Sequence, residues 1–124
     1  NILIKKFCVE RKKNHHFKGS ADDERGYSST TKFCKLLINK SDLNKDFVYD
    51  YGNSIKIKVK QIAEIFKKIF EKNFKKKIEY TFNSNVKNIN TIKSNKHIKS
   101  FDTKENSHNI IKKYYLSKIK LYEK

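Results

Sequence analysis

The stretch KVKQIAEIFKKIFEK, residues 58–72, is the clearest helical signal in the chain. Its apolar side chains recur at the spacing of one helical face, and lysines occupy the opposite face. Glu64 and Lys68 stand one turn apart on that solvated face, a pairing that supports a helix. We therefore expect a helix whose aromatic stripe packs into a core. The stripe consists of Val59, Ile62, Phe66, Ile69 and Phe70.

Two segments precede this helix. Residues 28–40, SSTTKFCKLLINK, begin with hydroxyl side chains that can cap a helix and continue with apolar residues at helical spacing, so they predict a short helix. Residues 46–51, DFVYDY, alternate aromatic and polar side chains and are followed by Gly52-Asn53. That pattern predicts a strand that ends in a turn.

Three segments follow it. Residues 77–82, KIEYTF, alternate Ile, Tyr and Phe with polar residues, and 86–92, VKNINTI, can form a second strand or continue the first. Residues 110–122, IIKKYYLSKIKLY, alternate again. A helix is an alternative over 110–122, but two tyrosines in an alternating run favour a strand.

This order of elements predicts an α+β fold: a small antiparallel sheet of three or four strands with two helices on one face, plus basic extensions and a loop. A chain of 124 residues is expected to form one domain. We expect residues 1–26 to form a basic N-terminal extension and residues 27–124 to form the folded core.

Charge is the strongest compositional signal. Thirty Lys and Arg against thirteen Asp and Glu give a net charge of +17. Such an excess is useful to a protein that binds a polyanion, because lysines that contact phosphates release condensed counterions. Nucleic acid is the first expectation and an anionic membrane surface the second. Only two of the thirty bases are Arg, a ratio that AT-rich coding also explains.

The basic residues cluster near the start of the predicted central helix, in the segment after residue 92 and at the start of 110–122. A solvated charged face is the competing interpretation of any single cluster, but it weakens because all clusters share one sign. Backbone and shape recognition of folded RNA fits better than base reading. The predicted RNA-binding residues are Lys32, Lys56, Lys58, Lys60, Lys87, Lys93, Lys96, His97, Lys99, Lys104, Lys112 and Lys113.

Signals for other chemistry are weak. Cys8 and Cys34 form no C-x-x-C motif, so neither a zinc site nor a redox motif is indicated. His15 and His16 are adjacent and would diverge on a helix or strand, so we expect no shared metal. No acid pair or glycine-rich phosphate loop stands out, and we expect no catalytic residue and no cofactor. No apolar run approaches the roughly 20 residues that span a bilayer.

The order of the predicted elements and the local sequence motifs of residues 28–122 resemble the large-subunit ribosomal protein family numbered twenty-three. Thr30-Thr31-Lys32 stands at that family's helix start, and FVYDY at its first strand. IKVKQIAEIF, residues 57–66, stands at its second helix, VKNINT (86–91) at its second strand, and IIKKYYLSKIKL (110–121) at its last strand. An insertion around 67–84 must be assumed, and Thr31 replaces the acid that the family associates with chaperone docking.

This resemblance implies a non-catalytic protein that binds large-subunit ribosomal RNA beside the peptide exit tunnel. Its implied partners are that RNA, neighbouring ribosomal proteins and exit-tunnel factors, with no membrane span. Residues 92–106 would be the family's extended RNA-contacting loop. The first residue, Asn1, suggests either a cleaved leader or a numbering that begins inside a longer chain. An organellar ribosome, mitochondrial or plastid, is the expected location, with the cytosolic ribosome as the alternative.

Two other interpretations stay open. DERGYSSTTKF followed by DFVYDYGNSIKIKVKQIAEIFKKIF also resembles the C-terminal part of sugar-nucleotide epimerases and dehydratases of the extended short-chain type. In that family a strand that ends in Gly precedes a similar helix. The chain would then lack the family's dinucleotide-binding half and the Tyr-x-x-x-Lys pair of that half. The third interpretation is a non-ribosomal RNA-binding module.

Overall fold

The computed structural model describes residues 1–41, 49–83 and 99–123, which form a small α+β fold. A short π-helix, Ile4–Val9, opens the chain. The α-helices of the described residues are α1 (Thr30–Ser41), α2 (Val59–Phe74) and α3 (Ser107–Lys120). The strands are β1 (Asn14–Phe17), β2 (Glu24–Gly26), β3 (Tyr49–Gly52), β4 (Lys56–Lys58), β5 (Glu79–Phe82) and β6 (Lys99–Asp102).

Helix α2 is the centre of the core, as its apolar stripe predicted. Its inner face buries Phe66 completely and Phe70 almost completely, and it packs against α3. The rings of Phe66 and Tyr115 meet edge to face with centroids 5.0 Å apart, a favoured aromatic geometry. The start of α2 is also well satisfied, since the Val59 and Lys60 amides donate to carbonyls of the 21–23 turn.

The N-terminal segment belongs to this core. Leu3, Ile4 and Phe7 of the π-helix are buried in the same apolar cluster as α2 and α3. The prediction that residues 1–26 are an extension outside a 27–124 core is therefore wrong. It failed because NILIKKF is too short to show a period, and its lysines concealed an apolar face that only tertiary packing reveals.

Residues 107–120 form a helix, so the prediction of a strand over 110–122 is wrong. The Asn106 side chain caps this helix by accepting from the Asn109 amide at 3.1 Å. Ile111, Tyr115 and Ile119 then lie four residues apart on one helical face and are all buried. Residues 110–122 fit both a strand-like alternation and this four-residue helical spacing. Packing on α2 selects the helix.

The strands form three two-stranded ladders. β1 pairs with β5 in parallel, β2 with β4 in antiparallel, and β3 with β6 in parallel. The α+β class is confirmed, but the single antiparallel sheet of three or four strands is replaced by these separate ladders. Parallel pairing requires a long connection between the two strands. Each parallel ladder meets this requirement, because its strands are distant in sequence and helices lie in the crossover.

Some of the remaining predicted elements are confirmed, and others lie outside the described residues. The helix over 28–40 is confirmed as α1, and strands are confirmed at 49–52 and 79–82. The assumed insertion around 67–84 contains the last turns of α2 and all of β5. The predicted strand at 86–92 and residues 92–98 of the predicted loop at 92–106 lie outside the described residues. The loop prediction is wrong for residues 99–102, which form β6. Helix α1 leaves Phe33 and Leu37 about two-fifths exposed, at 40% and 43%.

Candidate ligand-binding sites

The predicted RNA-binding residues do not form one described cluster. Lys87, Lys93, Lys96 and His97 lie outside the described residues. Lys99 is the first residue of β6. The seven others are distributed over α1, β4, the start of α2, the turn after β6 and α3.

Lys56, Lys58 and Lys60 follow one another along β4 into α2. The Lys60 and Lys58 ammonium groups lie 3.1 and 3.5 Å from Asp22 Oδ1, whereas Lys56 is exposed. Hydrogen bonding from Lys60, and then the charges of both lysines, lower the pKa of the Asp22 carboxyl. Two of these three cations are therefore already partly neutralised by a carboxylate, which weakens them as phosphate ligands.

Lys32 and Lys104 lie at the other end of the molecule. The Lys32 ammonium donates to the Thr103 carbonyl, so it ties α1 to the turn after β6. Lys104 is exposed and has a left-handed backbone with φ of 48°. Its amide donates to Asp102 Oδ1 at 3.1 Å. Of the two lysines, only Lys104 has an exposed side chain that a ligand could contact.

Lys112 and Lys113 lie on the exposed face of α3. Lys112 faces a groove of about 540 Å³ between α2 and α3, which Lys60 and Lys68 also line. His108 and Glu64 complete the polar part of the groove. The structure thus brings together two predicted RNA-binding residues, Lys60 and Lys112, that are far apart in the sequence.

A buried polar junction connects β2, β3 and α3. It is formed by Tyr27, Asn53, Thr103, Glu105 and Ser107. The Asn53 amide donates to the Tyr27 and Glu105 carbonyl oxygens at 2.6 and 2.8 Å. The Ser107 hydroxyl donates to the Ile55 carbonyl and accepts from the Tyr27 amide. Each buried polar side chain is thereby satisfied, which makes the junction rigid.

Glu105 extends the polar junction to α1. Its carboxylate accepts from the Ser29 amide at 2.7 Å and from the Ser29 hydroxyl at 2.6 Å. These two hydrogen bonds, with the charge of Lys32, lower the pKa of Glu105. Ser29 in turn caps α1, since its hydroxyl accepts from the Lys32 amide. Sequence reasoning missed Glu105 because its partner lies in a distant segment.

Sequence reasoning also missed a cleft of about 690 Å³ beside the π-helix, which we name the basic cleft. Two separate runs of cations line it, Arg11-Lys12-Lys13 and Lys76-Lys77. Phe74 and Tyr122 contribute aromatic surface, and none of the described lining residues is acidic. The charge runs in the sequence were a usable signal, but nothing in the sequence showed that they face each other.

Two potentially reactive side chains, Cys8 and His15, are each partly buried. Burial raises the pKa of the Cys8 thiol to about 11, so it is not a thiolate near neutrality. His15 packs edge-on against Phe17, and burial, followed by the charges of Lys6 and His16, lowers its pKa. Among the described residues, no three His, Cys, Asp or Glu side chains are grouped as metal ligands would be.

Two further observations bear on function. Tyr114 and Lys118 on α3 have Tyr-x-x-x-Lys spacing, and the Lys118 ammonium lies 5.9 Å from the Tyr114 ring centroid. This is a surface cation–π contact. None of the helices within residues 1–41, 49–83 and 99–123 combines the length and apolar character needed to cross a bilayer.

No protein-family model, curated protein or solved structure matches the chain. Function must therefore be inferred from the fold and from the chemistry of its surfaces.

Proposed function

We propose that the chain is the substrate-side part of a sugar-nucleotide epimerase or dehydratase of the extended short-chain type. The observation that carries the proposal is the parallel pairing of β3 with β6, from Tyr49↔Lys99 to Gly52↔Asp102. The crossover between them contains α2. Parallel ladders joined through helices occur mainly in α/β proteins, the class to which these enzymes belong.

The order of elements supports the same proposal. β3 ends at Gly52, and the long amphipathic helix α2 follows after the short β4. This is the strand, Gly and helix order on which the resemblance to these enzymes rests. The ribosomal resemblance instead requires a strand over 110–121, where this chain has α3. Its VKNINT strand lies outside the described residues.

Short ladders and a partly exposed helix are consistent with a larger body. Within the described residues each ladder has two strands, and two strands alone are marginally stable. On α1, Phe33 and Leu37 are 40% and 43% exposed, and the Phe33 ring packs edge-on against that of Tyr51 with centroids 5.0 Å apart. Neighbouring exposed apolar side chains mark a surface on which another domain packs. On this proposal the occupant is the dinucleotide-binding half of the same enzyme.

Arg25 supplies chemistry suited to the substrate. Arg25 is exposed at the centre of β2. The next residue, Gly26, lies close to the backbone of Asn53 at the polar junction. The Arg25 guanidinium donates to the Glu24 carbonyl at 3.1 Å, which orients the fork along the strand. A planar guanidinium binds the oxygens of a diphosphate in a bidentate manner, whereas lysines act as point charges.

The test is binding of UDP-glucose to the native protein by isothermal titration calorimetry. Arg25→Ala is expected to weaken binding about tenfold or more, because a charge-assisted bidentate contact is lost. Arg25→Lys should recover part of the affinity. Lys72→Ala removes an equal charge from the exposed face of α2 and should leave binding unchanged. Absence of UDP-glucose binding, or equal losses in Arg25→Ala and Lys72→Ala, would contradict the proposal.

Ribosomal RNA binding is the second candidate, favoured by the net charge of +17. Lys56, Lys104, Lys112 and Lys113 are exposed cations that suit phosphate contacts. The chain would then be a non-catalytic component of an organellar large subunit, beside other ribosomal proteins. Sedimentation of a native extract separates the candidates. Co-migration with large subunits that is lost only at high salt supports the ribosome, and a free protein that binds UDP-glucose supports the enzyme.

A further inference from the structure

We propose that the basic cleft is a binding site for a nucleoside polyphosphate, with the phosphates on the cations and the base against the aromatic rings. Its volume of about 690 Å³ lies within the range of pockets that enclose small ligands, about 300–1,000 Å³. The site is separate from the polar junction and from Arg25, so it goes beyond the proposed function.

The charge of the cleft selects a polyanion. Arg11, Lys12 and Lys13 approach from the N-terminal side and Lys76 and Lys77 from the end of α2. Like charges that converge without a carboxylate repel one another, and a bound anion would relieve the part of this repulsion that solvent and salt do not screen. A single phosphate cannot engage five cations on two sides, whereas a di- or triphosphate can bridge them.

Sharp backbone turns lie at the start of both runs of cations. Arg11 and Lys75 have positive φ angles of 54° and 55°. Lys75 is the left-handed C-cap of α2, and its amide donates to the Glu71 carbonyl at 3.1 Å. This is a common way for a helix to end, and it is the point at which the chain leaves α2 towards Lys76 and Lys77.

The aromatic lining distinguishes a nucleotide from a simple anion. Tyr122 is 40% exposed at the cleft, and the ring of the half-buried Phe74 packs against that of Phe70 with centroids 4.6 Å apart and planes tilted by 31°. A ring braced from behind in this way provides a fixed face for a planar base. Aromatic side chains stack on bases in proteins that bind single-stranded nucleic acid, and the π-face of any base suits them.

The test uses ATP, ADP, AMP and inorganic triphosphate with the full chain in calorimetric titrations near 0.15 M salt. The triple variant Arg11→Gln, Lys13→Gln, Lys76→Gln removes three exposed charges from the cleft. Its control, Lys18→Gln, Lys35→Gln, Lys72→Gln, removes three exposed charges outside the lining of the cleft. We expect the cleft variant to lose about tenfold or more in ATP affinity and the control to lose no more than about twofold.

A second variant isolates the base. Tyr122→Ala should weaken ATP but leave inorganic triphosphate unchanged, and affinity should fall from ATP to AMP. Equal losses in the two triple variants would show that ATP responds only to net charge and would overturn the proposal. The proposal would also be overturned if inorganic triphosphate bound as tightly as ATP. It would be overturned as well if an oligonucleotide displaced ATP much more effectively than its number of phosphates predicts. Arg25→Ala should leave ATP binding intact, so this result is independent of the UDP-glucose test.

Discussion

At the scale of single residues, Gly26 lies close against the backbone of Asn53 at the polar junction. A methyl group at Gly26 would lie 2.2 Å from the Asn53 carbonyl oxygen, well inside contact distance. We expect Gly26→Ala to lower the free energy of unfolding by about 2 kcal/mol or more, since backbone must move to accommodate it. Gly52→Ala is the control, because nothing lies within 4 Å of its added methyl group.

Urea denaturation of both variants checks this prediction. Gly52→Ala should stay within about 0.5 kcal/mol of the unmodified chain. If the two glycine variants have the same midpoint, Gly26 is not required for closure of the junction onto Asn53.

Tyr115 makes stability depend on alkaline pH. Burial raises the pKa of its phenol to about 12, although the Asn1 amide, which donates to the Tyr115 hydroxyl at 3.0 Å, lowers it. A raised pKa means that the folded state keeps its proton longer than the unfolded state. Its contribution is therefore complete below the ordinary tyrosine pKa near 10 and is lost as pH rises towards 12.

We therefore expect the free energy of unfolding to fall between about pH 10 and 12, and Tyr115→Phe to flatten this fall. Chemical denaturation at a series of alkaline pH values measures the slope. Tyr122→Phe, at an exposed position, is the control and should leave the slope unchanged. An unaltered slope in Tyr115→Phe would assign the alkaline transition to other groups.

At the scale of secondary structure, α1 depends on a polar attachment. Most of its side chains are exposed, and its N-terminus is held by Ser29 on the Glu105 carboxylate and by Lys32 on Thr103. We expect Glu105→Ala to destabilise α1 by about 1 kcal/mol, because Ser29 loses the acceptor that fixes it as a cap. Hydrogen exchange of the α1 amides should accelerate, while that of α2 changes little.

The same carboxylate carries a pH dependence of opposite sign to that of Tyr115. The pKa of Glu105 is lowered, so its contribution is present above the ordinary Glu pKa near 4.3 and is lost as pH falls through its folded pKa. The protection factors of the α1 amides, which correct for the pH dependence of intrinsic exchange, should fall as pH drops below about 4.3 in the unmodified chain but not in Glu105→Ala. Glu123→Ala, at an exposed position near the C-terminus, should behave like the unmodified chain.

The helices show how far sequence patterns reach. The stripe of α2 runs from Val59 to Phe70, about three turns, and shows only the helical period, so the predicted helix is confirmed. The buried apolar residues of α3 are Ile111, Tyr115 and Ile119, and the same run also alternates. Two periods therefore competed, and the β propensity of tyrosine favoured the wrong one. The deciding factor was the surface of α2, which no local pattern encodes.

At the scale of the whole molecule, the missed features are the non-local ones. Parallel pairing joins β1 to β5 and β3 to β6 across most of the chain. Neither register is encoded by a turn sequence, because the paired strands are not adjacent. The basic cleft is non-local in the same way, since its two runs of cations meet only after the π-helix has docked on α2. Composition predicted a polyanion ligand but not where these cations converge.

Docking of the π-helix gives the last prediction, because it decides whether the N-terminal segment is part of the core. Phe7 is 2% exposed, and its ring lies 5.7 Å from that of Phe66 and 6.0 Å from that of Phe70. Phe7→Ala should lower the free energy of unfolding by about 3–5 kcal/mol, since it removes a buried ring and leaves a cavity. Val9→Ala, in the same π-helix but 57% exposed, should cost less than about 0.5 kcal/mol. Equal, small effects in urea denaturation would mean that the segment is a detachable extension. The basic cleft would then lack its N-terminal wall, so the ATP affinity of Phe7→Ala should fall together with its stability.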